Sequence, residues 1–71
     1  MITEHKETTT NLRINGKELV GTIREIPENS DDGVMLYEKV VYQGHGEYPR
    51  WLGYEYSYED AKKAILNWRG L

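Results

Sequence analysis

The sequence predicts an α+β domain: an antiparallel sheet of three to four strands, built from two hairpins, with one C-terminal helix packed on one face. Three observations carry that expectation. Asn15-Gly16 sits between two β-like runs, the signature of a tight hairpin turn whose two central residues both need positive φ. The run VMLYEKVVYQ, residues 34–43, is rich in β-branched and aromatic residues at both parities, which suits a strand flanked on two sides. The last fifteen residues carry the start signal, the apolar stripe and the stop signal of one helix.

Taken in order, residues 1–9 read as a flexible arm, with β propensity first appearing in Thr8–Thr10. Leu12 and Ile14 alternate on the first arm of the hairpin, and Val20, Thr22, Arg24 and Ile26 alternate on the second. Gly21 within that second arm signals a bulge or a close backbone approach. PENSDDG, residues 27–33, is a loop by its turn chemistry, and its acids lack the ligand spacing of a calcium loop. GHGEYP, residues 44–49, turns the chain, and RWLGYEY, residues 50–56, returns as the next strand. Its parity separates Trp51, Gly53 and Glu55 from Leu52, Tyr54 and Tyr56. Ser57 is placed as N-cap with Asp60 as its acidic partner, and Glu59 and Arg69 complement the helix dipole. Ala61, Ala64, Ile65 and Trp68 form the apolar stripe, with Lys62, Lys63 and Asn67 opposite, and Gly70 ends the helix.

Length and composition narrow the function. A chain of 71 residues is a single domain with a small core, and with no cysteine it must be held by packing alone or with a second copy of itself. A metal centre is not expected, since the only imidazoles are His5 and His45, and no cofactor is implied. The cysteine-free composition fits a reducing, cytoplasmic setting. The N-terminal MITEHKETTTN lacks the apolar core of a secretory signal, and no run is long enough to span a membrane. A net charge of −3 from nine bases and twelve acids is neither the basic balance of a general nucleic-acid binder nor the dense acidity of a DNA mimic.

Catalytic constellations are not expected either. Ser30 and Ser57 are explained by turn and cap roles, and His45 lies between two glycines as a loop residue. Asp31-Asp32 and Glu59-Asp60 are accounted for by a loop and by a helix's first turn. The phosphate-binding, dinucleotide-binding and zinc-protease motifs are absent. The reading is non-enzymatic.

RWLGYEYSYEDAKKAI, residues 50–65, resembles the final strand and helix of the Apetala/ethylene-response-factor DNA-binding domain and of the arm-binding domains of tyrosine integrases. Trp51, Leu52, Gly53, Ser57, Glu59, Ala61 and Ala64 fall in register with that family's Trp-Leu-Gly, helix cap, glutamate and sheet-facing alanines, while Glu55 stands where the family has an aromatic. The resemblance implies a sheet packed on one helix, with the opposite sheet face gripping DNA. Trp51 and Arg50 are the residues that carry over to that role.

The aromatic residues decide between readings. Tyr54, Tyr56 and Trp68 are expected in the core under the helix, which sends Trp51 to the other face of the sheet. Trp51, Arg50, Tyr48, Tyr42 and Lys39 are then the candidate binding surface, because one helix covers only one face and bare aromatics signal a partner. The first reading is a protein-interaction module, an adaptor, modulator or inhibitor, working through its open face or an edge strand and able to form a homodimer. The alternative is nucleic-acid binding through the same face. A bare face with clustered cations favours the second; apolar rings with balanced charge favour the first.

Overall fold

The computed structural model describes residues 2–5, 8–27, 35–43 and 49–71. Five strands, β1 (Ile2–His5), β2 (Thr9–Ile14), β3 (Glu18–Pro27), β4 (Met35–Val41) and β5 (Arg50–Glu55), form one antiparallel sheet in chain order, followed by α1 (Tyr58–Arg69). The architecture is the expected α+β one, with one strand more than the three to four counted from the sequence. The extra strand lies in the stretch read as an arm, where Ile2–His5 pairs with Asn11–Ile14. Pro27, read as the first loop residue, instead ends β3; the rest of that loop, Val34 of the following strand, and turn residues 44–48 with His45 and Tyr48 lie outside the described residues.

The first hairpin turns as its sequence requires. Asn15 and Gly16 have φ of 51° and 73°, and the Lys17 N–H donates to the Ile14 carbonyl at 2.9 Å. Beyond the turn the register shifts: Leu12 pairs with Gly21 and Arg13 with Leu19, so Val20 is the extra residue of a β-bulge. The shift brings Val20 into the core beside Ile23, although alternation alone would group Val20 with Thr22 and Arg24. Gly21 is where sheet and helix meet most closely. A Cβ there would lie 2.6 Å from the Val40 carbonyl oxygen and 2.7 Å from Cγ2 of Ile65.

The helix follows its signals. The Ser57 hydroxyl accepts from the Asp60 N–H at 3.1 Å, and Gly70 closes the C-terminus in the left-handed region at φ 73°. Ala61 and Ile65 are buried against Leu12, Val20, Ile23 and Val41, with Ile2, Ile14, Tyr37, Leu52, Tyr58 and Leu66 packed around them. Arg69 does more than complement the dipole. It donates to the Tyr42 carbonyl at 2.5 Å and to Glu18 at 2.6 Å, clamping the helix end to the sheet.

The expected core rings are placed differently. Tyr54 is 47 % exposed, Tyr56 77 % and Trp68 38 %, and the aromatic pair that packs at the core is Tyr37 with Tyr58, edge to face at 6.3 Å. The cause is a second bulge. Lys39 pairs with Gly53 and Val40 with Trp51, so Leu52 is extra, and Gly53 beside it has φ of 100°. The alternation of β5 therefore slips by one at Leu52. Leu52 joins the core periphery, and Tyr54 passes to the face that Trp51 occupies.

Candidate functional site

Cross-strand pairing assigns the faces, because directly opposed residues share one. Under the helix lie Leu12, Gly21 and Val41, then Thr10, Ile23 and Lys39, then Tyr37 with Glu55. On the open face Arg24, Glu38 and Tyr54 form one rung across β3, β4 and β5, and Thr22, Val40 and Trp51 form the next. Ile26 and Leu36 continue that face as half-buried apolar residues.

Trp51 is 58 % exposed and packs edge to face on Tyr54 at a centroid distance of 5.4 Å. Its indole N–H donates to Oε2 of Glu38 at 3.3 Å, while Oε1 of the same carboxylate accepts from Arg24 at 3.1 Å. The cluster is thus two rings leaning on each other with a charge-neutral Arg–Glu pair at their base. Those polar groups fix the indole's tilt while the ring surfaces stay in water.

The expected binding residues do not come together. Trp51 stands on the open face. Lys39 points to the helix side, where it is 13 % exposed and ion-paired with Glu55 at 2.8 Å. Arg50 also turns to the helix side, its guanidinium 5.2 Å from the centre of the Trp68 ring, a cation–π contact. Tyr42 is half-buried just past β4, its backbone held by Val20 and Arg69. Tyr48 lies outside the described residues. Sequence reasoning had missed Tyr54, Glu38 and Arg24 as the actual neighbours of Trp51. A signal existed in Gly53, since a glycine inside a strand marks a bulge as readily there as at Gly21.

Two other features bear on chemistry. Near β1, Glu4 pairs with Lys62 at 2.5 Å, and the Tyr58 hydroxyl is buried in the same region. Burial first, and the Glu4 carboxylate second, push the Tyr58 hydroxyl up to about 12. On the outer side of α1 a shallow depression of about 370 Å³ is lined by Glu59, Lys63, Leu66, Asn67 and Leu71 among others. Among the described residues no three acidic or imidazole side chains converge as metal ligands, and no helix is long and apolar enough to cross a membrane. No protein-family model, no curated protein and no solved structure matches the chain.

Proposed function

We propose that this chain is a small, non-enzymatic protein-interaction domain that docks through the Trp51–Tyr54 surface at the edge of its sheet. One observation carries the reading: two large rings stand exposed on an otherwise half-apolar face whose adjacent charges, Arg24 and Glu38, neutralise each other. A partner gains ring surface there without having to desolvate an unpaired charge. The cysteine-free chain fits a cytoplasmic setting for that role.

The nucleic-acid reading draws on Trp51 being exposed opposite the helix, as the resemblance to the ethylene-response-factor domain implies. Its cations are what it lacks. Arg50 and Lys39 lie on the helix side, and Arg24 is held by Glu38. Phosphate contacts dominate affinity for nucleic acid, so the charge balance favours protein.

The test compares wild type with Trp51→Ala and Tyr54→Ala as baits in the native lysate, followed by direct binding to the captured protein. A specific protein held by wild type and lost by both variants is expected. Retention unchanged in the variants would sink the reading. So would tryptophan emission quenched by an oligonucleotide at low salt, if Trp51→Ala abolished the quenching.

A further inference from the structure

Among the described residues β5 is an edge strand, paired with β4 alone. Natural edges are usually blunted by charged side chains, proline, β-bulges or covering elements, and β5 carries Arg50, Glu55 and its bulge at Leu52. Here no lysine or proline lies within Arg50–Glu55, and the edge gathers most of the bare rings among the described residues. Among the described residues the exposed large hydrophobics are Trp51, Tyr54, Tyr56, Trp68 and Leu71. The first two belong to β5, the third follows it directly, and Trp68 lies beneath Arg50 of the same strand.

The bulge gives this edge a particular symmetry. In a regular strand, residues separated by an odd number of positions face opposite ways, so they cannot meet across a two-fold antiparallel pairing. The slip at Leu52 places Trp51 and Tyr54 together on the open face, and Arg50 and Glu55 together on the helix face. Turned against its own copy, β5 brings Arg50 opposite Glu55 of the copy, Trp51 opposite Tyr54, and Leu52 opposite Gly53. Every pair agrees in face, the charged pair is complementary, and the aromatic pair doubles into a cluster of four rings. Glu55 holds Lys39 through Oε1, and its second oxygen is available to the incoming guanidinium.

We infer that the partner of the β5 edge is a second copy of this chain, joined by two-fold antiparallel β5–β5 pairing in the Arg50–Glu55 register. The inference rests on the protein-interaction reading and names its occupant. The two sheets become one continuous sheet with both helices on the same side, and the two-fold closes the assembly at a dimer.

Sedimentation equilibrium from micromolar to millimolar concentration tests the pairing, with circular dichroism confirming the fold of each variant. Wild type is expected to reach twice the 8.3 kDa of the chain and to stop there. Arg50→Glu, which sets carboxylates against each other at both ends, should weaken the dimer by roughly tenfold or more. Glu55→Arg should do the same, and mixing the two variants should restore a dimer, because both contacts in the mixed pair are again of opposite charge. Should Glu55→Arg fail to fold beside Lys39, Trp51→Ala replaces it, and loss of the dimer is again expected. A wild type that stays monomeric, a mass that climbs past the dimer, or a dimer indifferent to Arg50→Glu overturns the inference. A monomer whose Trp51 still captures a different protein overturns only the self-pairing; a monomer with no protein partner overturns the broader reading with it.

Discussion

At the scale of single residues, two glycines in this sheet are glycine for opposite reasons. Gly21 is constrained by space, since a Cβ would press on the Val40 carbonyl and on Ile65. Gly53 is constrained by backbone, since a Cβ there would meet nothing within 4 Å but its φ of 100° disfavours any side chain. Gly21→Ala is therefore expected to cost about 1–3 kcal/mol through overpacking, and Gly53→Ala about 1–2 kcal/mol through conformation alone. Urea denaturation in the Ile65→Ala background, which removes the crowding Cγ2, separates the two causes. The cost at Gly21 should change when Ile65 is trimmed, and the cost at Gly53 should simply add. Equal additivity at both sites would show that the approach of Ile65 is not what selects Gly21. Both residues were visible as glycines in strands, yet only the structure distinguishes the crowded one from the twisted one, because the crowding comes from the neighbouring strand β4 and from a helix forty-odd positions away.

At the scale of elements, what could be read depended on how local its cause was. The helix is specified by neighbours: Ser57 caps Asp60, and Gly70 returns its N–H to Asn67 and Leu66. Ser57→Ala should thus cost about 1 kcal/mol, and a thermal or urea melt that leaves stability unchanged would show the cap to be redundant. The Asn15-Gly16 turn was legible for the same reason. β5 was not, because its bulge is a relation between two strands: Leu52 is extra only with respect to Lys39 and Val40. A strict period of two placed Tyr54 and Tyr56 in the core and missed the pairing of Trp51 with Tyr54. Lys39 and Arg50 left the expected surface by alternation itself: Arg50 adjoins Trp51 and faces away from it, and Lys39 pairs with Ile23 on the helix face. β1 escaped notice because its short, polar run gains its pairing only from the existing edge of β2.

At the scale of the whole molecule, the core among the described residues is six buried apolar side chains drawn from β2, β3, β4 and α1, and its rim carries much of the polar stitching. Lys62 ties α1 to Glu4 on β1, and Arg69 ties it to Glu18 and Tyr42. Tyr58 sits within this rim, and its raised pKa makes stability depend on alkaline pH. Below pH 10 the hydroxyl keeps its proton in folded and unfolded chains alike. Between pH 10 and about 12 the unfolded chain releases that proton while the folded chain retains it, so stability falls across this window. Tyr58→Phe should flatten that part of the profile in urea titrations carried out at stepped pH, and a slope that survives the substitution would assign it to another group.

The extra residue in β5 has a genetic consequence. Leu52 acts as a phase marker within the strand, so replacing it and removing it are different kinds of change. Replacement by another aliphatic residue alters one side chain at the margin of the core. Excision restores the simple two-residue rhythm and moves Trp51 and Arg50 each to the other side of the sheet, exchanging a wet indole for a wet guanidinium. Tolerance of this strand to substitution therefore says little about its tolerance to a change in length.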